Sequence, residues 1–146
     1  MTPSNADSAR AIIERLGLAA HPEGGWYKET WRDTPANGGR GSGTAILYLL
    51  DRGERSHWHR VDATEIWHFH AGAPLRLRLS DDGVTIDEYR LGGSIIAGEE
   101  PQITIPPYRW QSAEATEGWT LVSCTVSPAF DFAGFELAAP DWSPGR

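Results

Sequence analysis

Ser56-His57-Trp58-His59-Arg60-Val61-Asp62-Ala63-Thr64-Glu65-Ile66-Trp67-His68-Phe69-His70-Ala71-Gly72 is the run that decides how this chain folds. It holds four of the five histidines of the 146-residue sequence. Its β-branched and aromatic residues, broken near Asp62-Ala63 and closed by Gly72, read as two adjoining short strands. Strict alternation would place His57 and His59 on one face of the first strand. In the second, Glu65, Trp67 and Phe69 share a face, and Ile66, His68 and His70 take the opposite one. Imidazoles and a carboxylate between aromatic walls suit divalent-metal binding or proton transfer near neutral pH.

Outward from this run the strand pattern continues. Pro74-Leu75-Arg76-Leu77-Arg78-Leu79 alternates apolar and charged residues, as a half-buried antiparallel strand does. Asp81-Asp82-Gly83 has hairpin-turn chemistry. Further strands are expected over 26–32, 45–50, 84–91, 102–105, 109–113, 119–127 and 135–138. One helix precedes them, capped by Ser4 or Asn5, with Asp7 in its first turn. Ala9, Ile12, Ile13 and Leu16 follow helical spacing and Gly17 stops it. His21-Pro22-Glu23-Gly24-Gly25 is a rigid loop, read either as a lid or as a plain tight turn. A single domain results, with a lead-in over 1–20, a β-barrel over 21–139 and a tail over 140–146 in which Trp142 is a pin. Turn signals at short intervals and no second helix give an all-β jelly roll or small barrel.

Thirteen Lys and Arg against twenty Asp and Glu leave a net charge of -7. Such a field repels phosphate, so neither nucleic acid nor an anionic membrane surface is an expected partner. No apolar run approaches a membrane-spanning length. The N-terminus has no basic-then-apolar leader pattern, and the single cysteine, Cys124, rules out an internal disulfide framework. A cytoplasmic, bacterial protein is expected.

The spacing Gly53…His57-x-His59…Glu65-x6-Gly72 resembles the first motif of the cupin superfamily. Pro106-Pro107-Tyr108-Arg109-Trp110-Gln111 takes the place of the second. HPEGGWYKET, TAILYLL, HWHRVDATEIWHFHAG, PQITIPPYRWQSA and CTVSPAFDFAGFELA together resemble the type-five cupin family, a domain of unknown function, over about residues 21–138. That resemblance implies a cupin-type double-stranded β-helix with one short N-terminal α-helix, and a homodimer. Two departures stand out. Five residues, Arg60 to Thr64, separate His59 from Glu65 where metal-binding cupins have four. Gln111 replaces the second-motif histidine and Tyr108 the glycine before it. An amide oxygen is a poor ligand beside imidazole, so no cofactor, or only a weakly bound divalent metal, is expected.

Three functions remain open. One is a small-molecule-binding cupin resembling an epimerase or isomerase, acting on a sugar or similar polar metabolite. There His59 is the base, Glu65 its partner and Tyr108 an acid, with Trp67, Phe69, Trp110, Gln111 and Arg60 contacting the ligand. The second is a metal-dependent oxygenase or isomerase using His57, His59 and Glu65. The third is a non-catalytic ligand-binding or sensor protein. Arg40 joins Arg60 as a candidate for an anionic ligand group. Cys124, mid-strand, reads as a buried inert thiol.

Overall fold

The structure, a computed structural model, describes residues 5–146, with side chains from Ser8 onward. Ser4 lies outside the described residues, as do the side chains of Asn5 and Asp7 on which the expected cap and first-turn charge rest. The elements are α1 (Asn5–Leu16), β1 (Ala19–Ala20), β2 (Trp26–Arg32), β3 (Thr44–Leu50), β4 (Arg55–Val61), β5 (Thr64–Gly72), β6 (Leu75–Ser80), β7 (Asp87–Leu91), β8 (Gln102–Ile105), β9 (Trp110–Glu114), β10 (Thr120–Ser127) and β11 (Phe135–Leu137). They form two antiparallel sheets, ordered β1-β2-β3-β10-β5-β8 and β11-β4-β9-β6-β7. This is the expected jelly roll.

The core lies between the sheets. Tyr48, Leu50, Trp67, Ile103, Ile105, Val122 and Cys124 from the first meet Leu75, Leu77, Leu79, Leu91 and Ala113 from the second. The three leucines of β6 point inward as their alternation predicts, while Arg76 and Arg78 pair outside with Glu114. Helix α1 covers part of the first sheet's outer face, seating Ala9, Ile12, Ile13 and Leu16 on Leu47, Leu49 and Leu121. Gly17, at φ 69°, ends it. Leu18 N–H reaches Ile13 O at 3.0 Å and Gly17 N–H reaches Glu14 O at 3.3 Å, a Schellman closure that satisfies two terminal carbonyls.

Two sequence expectations change. The strand expected over 84–91 begins only at Asp87. Asp82 Oδ1 accepts the backbone N–H of Val84 (2.8 Å) and of Thr85 (2.7 Å), so these residues are held in an Asx turn instead of a ladder. The second change concerns β4. Ser56 pairs with Ala113 and His59 with Gln111, so three steps on β4 face two on β9. The extra residue is a β-bulge, which reverses side-chain parity across it. His57 and His59 therefore do not share a face.

Candidate functional site

A cavity of about 240 Å³ opens between the sheets, lined by His21, Glu23, Tyr27, Glu29, Arg32, Thr44, Ile46, His59, Val61, Glu65, Cys124, Val126, Phe130, Phe132 and Phe135. Its titratable side chains arrive from separate elements. β4 and β5 bring His59 and Glu65, and the loop between β1 and β2 brings His21 and Glu23.

That loop is fixed by its backbone. Gly24 and Gly25 have φ of 110° and 76°, and a Cβ on Gly24 would fall 2.1 Å from Arg55 O, so only glycine fits. His57 N–H donates to Glu23 O at 2.8 Å and the Tyr48 hydroxyl donates to Gly24 O. The Glu23 side chain is consequently held in the lumen, 8 % exposed. Glu23 N–H donates to His21 Nδ1 at 3.1 Å, which requires that nitrogen to carry a lone pair. Burial lowers the pKa of His21, so it is the neutral imidazole of the site.

His59 is 2 % exposed, with Nδ1 2.8 Å from His57 O and Nε2 2.9 Å from Glu23 Oε2. A carbonyl oxygen can only accept, so Nδ1 carries a proton. Nε2 then faces a carboxylate, which favours a second proton there. Burial alone would lower the pKa of His59. The charge and hydrogen bonding of Glu23, with a further contribution from Glu65, override it and raise it to about 9. Glu23 answers in the opposite direction: burial would raise its pKa, but His59 holds it below the usual carboxylate value. The pair is a buried imidazolium–carboxylate. Glu23 Oε2 meets His59 Nε2 at 2.9 Å, and the second lone pair of that buried carboxylate oxygen keeps capacity for a ligand donor.

Glu65 is built differently. The Trp67 indole N–H, which can only donate, reaches Gln111 Oε1 at 2.8 Å. This fixes the Gln111 amide, whose Nε2 must donate toward Glu65 Oε1, also at 2.8 Å. Burial, opposed by His59 and reinforced by Glu23, lifts the pKa of Glu65 to about 7. The cavity therefore offers a histidine held charged and a carboxyl poised to exchange its proton at neutral pH.

The other sequence candidates lie elsewhere. His57 turns away from the lumen and its Nε2 meets Ala139 O at 2.8 Å, a consequence of the bulge. Tyr108 is 64 % exposed at the β8–β9 turn, beside Arg60 and Glu136 and outside the cavity. Arg60 pairs with Glu136 at 2.9 Å and lies over the Trp110 ring, while Trp110 packs on Trp142, which pins the tail. Gln111 is buried with both amide ends engaged, so it positions Glu65 instead of contacting a ligand. Trp67 and Phe69 face inward but belong to the core beside the cavity. Arg40 is committed to Asp62 through two hydrogen bonds and to Ala129 O. His68 and His70 face outward, meeting Thr125 and Ser123 on the neighbouring strand.

The sequence reading treated Glu23 and His21 as loop residues and did not connect them to His59. Its usable signal was a glutamate wedged between Pro22 and two glycines, an improbable place for a free surface acid. The phenylalanine wall was visible only as the dispersed FDFAGF segment.

The donors do not fit the metal centre that a cupin resemblance implies. His57 is turned out, Gln111 has no free oxygen, and His59 Nε2 is occupied by Glu23. Among the described residues no group of three or more His, Cys, Asp or Glu is arranged to hold a metal ion. The metal-dependent reading thereby loses the triad it rested on.

Comparison with known proteins agrees with the architecture. No curated protein matches the chain. A hypothetical protein from Leishmania major is 32 % identical with a TM-score of 0.80, over 90 % of this chain and 87 % of that one. A structural-genomics target from Shewanella oneidensis is 37 % identical with a TM-score of 0.84, over 90 % and 84 %. Oxalate decarboxylase from Bacillus subtilis, at 14 % identity and a TM-score of 0.59 over 81 % of this chain and 29 % of that one, shares the fold alone. The sequence pattern described as Cupin superfamily (DUF985) matches residues 10–138, and the chain belongs to that family.

Proposed function

We propose that the lumen is the active site of an acid–base isomerase or epimerase working on a small polar metabolite. One observation carries this reading: one cavity presents two groups whose environments separate their protonation states, His59 charged and Glu65 near neutrality. Such separation is how one site supplies both an acid and a base at the same pH. Motif reasoning assigns His59 the role of base. A histidine held protonated by Glu23 works instead as the acid.

In the proposed step, ionised Glu65 takes a proton from carbon next to a substrate carbonyl. The electron pair of that C–H bond moves to the carbonyl oxygen, which shares the His59 Nε2–H with Glu23 Oε2 and is stabilised by that charge-assisted hydrogen bond. Return of a proton to carbon restores the carbonyl and leaves both side chains as they began. His21 and Tyr27 stack edge to face at 4.4 Å and wall the cavity, so water is partly displaced from the reacting groups.

The test is a thermal-shift screen of sugars and hydroxy-carbonyl metabolites, followed by exchange of substrate hydrogen with deuterium oxide. Wild type should incorporate deuterium at the carbon next to the carbonyl, and Glu65→Gln should not. Binding without exchange in the wild type would make the chain a binding protein and overturn the proposal.

A further inference from the structure

We infer that the cavity selects an uncharged, unphosphorylated monosaccharide. This deepens the reading just given, since it names what the acid–base pair would act on. Three features of the lining point the same way.

The first is size. At about 240 Å³ the cavity lies below the roughly 300–1,000 Å³ that holds drug-sized ligands, so it suits one ring and its substituents. A nucleoside diphosphate attached to that ring would have to lie outside.

The second is charge. Arg32 is the only arginine of the lining, and Glu29 grips it through Nε–Oε1 (2.9 Å) and Nη2–Oε2 (2.8 Å). His59 is neutralised by Glu23 at 2.9 Å. Arg40, beside the mouth, is held bidentately by Asp62 at 2.9 and 2.7 Å. Each cation near the cavity has a carboxylate of its own, and Glu65 adds negative charge whenever it ionises. A phosphate would have to displace one of these partners and sit among the acids of a chain whose net charge is -7.

The third is the pairing of donors and faces. Buried Glu23 Oε2, paired with His59 Nε2 at 2.9 Å, has a second lone pair to offer, and a carboxylate accepts well from sugar hydroxyls. Opposite chemistry comes from Phe130, Phe132 and Phe135, stacked edge to face at 4.9 to 5.9 Å. Phe132 is 55 % exposed at the opening. The C–H face of a pyranose carries slight positive charge and packs on the negative face of an aromatic ring. An acid for the hydroxyls and an aromatic wall for the C–H face describe a neutral sugar.

The experiment is calorimetric and thermal-shift titration of the full chain at pH 7 with D-glucose, D-galactose, D-mannose and L-rhamnose. Each is compared with its sugar phosphate and its nucleotide-linked form. At least one free sugar should bind about tenfold or more tightly than its phosphorylated counterpart. Phe132→Ala should weaken that binding by about tenfold without lowering the melting temperature, because the ring is largely exposed. A phosphorylated or nucleotide-linked form binding equally well overturns the inference. So does the absence of any stabilisation by the free sugars at about 20 mM. Deuterium exchange separates the two proposals. A free sugar that binds without exchanging sinks the isomerase reading alone, whereas exchange confined to a sugar phosphate sinks this inference alone.

Discussion

Glu23→Gln removes a charge from the lumen while keeping side-chain shape, and its consequence can be worked out. In wild type Glu23 holds the folded-state pKa of His59 near 9, against about 6.5 in an unfolded chain. A raised histidine pKa stabilises the fold fully below the unfolded value, and that stabilisation is lost as pH rises through the folded value. At about 1.4 kcal/mol per pKa unit, the pair contributes on the order of 3 kcal/mol below pH ~6.5 and almost nothing above pH ~9.5. The variant loses the largest influence raising the His59 pKa and leaves burial opposed only by the smaller ones from Glu65 and His57 O, so the charged ring is disfavoured and most of the contribution vanishes. Urea denaturation from pH 6 to 10 should show the variant less stable by about 2–3 kcal/mol at neutral pH, with the gap closing toward pH 10. For a chain of this size that is roughly 6–12 °C in melting temperature. Glu65 titrates near pH 7 in the wild type, at the lower edge of that range, so the closing of the gap is read from pH 8 upward. A pH-independent difference across that range would show that Glu23 does not hold His59 charged, and the acid role of His59 would fail.

Glu65→Gln should raise stability at pH 8 by up to about 3 kcal/mol while abolishing turnover, because a buried carboxylate with a raised pKa is destabilising once ionised; equilibrium unfolding at pH 4 and pH 8 checks this, the advantage disappearing in acid. Tyr108 holds φ 66°, a left-handed conformation that favours glycine. Tyr108→Gly should therefore stabilise by about 0.5–1 kcal/mol in thermal melts and leave ligand affinity unchanged. EDTA dialysis should leave the melting temperature unchanged to within about 1 °C, since stabilisation by a bound metal would be lost with it; a larger fall would restore a metal centre. Light scattering should give twice the 16.1 kDa chain mass, since α1 leaves much of the first sheet's outer face, with His68 and His70, uncovered; a monomer at micromolar concentration refutes that state.

Local pattern made the fold and half the site legible. Leu75, Leu77 and Leu79 alternate over a straight strand, so period two placed them correctly. Glu65 follows the same rule in β5. His57 does not, because a bulge is an extra residue in one strand defined only against its partner, β9, and nothing in β4's own sequence announces it. Glu23 escaped for a related reason. Its partnership with His59 exists only once the β1–β2 loop closes over the β4 strand, a contact between distant stretches that no periodicity encodes. Tyr108 and Arg60 have side chains suited to an acid and to an anion partner, yet turn geometry and alternation send them outside.

Gln111 links these observations, because its effect runs through the whole lumen. A histidine there would offer a lone pair to a metal beside His59 and Glu65. The glutamine instead has its oxygen committed to the Trp67 indole, so its amide must donate to Glu65. Glu65 then has a hydrogen-bond donor in place of a cation, and burial lifts its pKa to about 7. His59 takes the carboxylate of Glu23 on Nε2 and is held as the charged acid. Gln111 and the Glu23 loop together leave an acid and a base facing one cavity. The experiment that follows is Gln111→His. It should lower the pKa of Glu65 whenever the new imidazole is protonated, and it should create zinc or nickel affinity only if His59 can leave Glu23. Calorimetry with the metal in wild type, Gln111→His and Gln111→His/Glu23→Gln reads this directly. Tight metal binding by the single variant would show that the Glu23 pairing does not occupy His59, and with it the acid–base reading would fall.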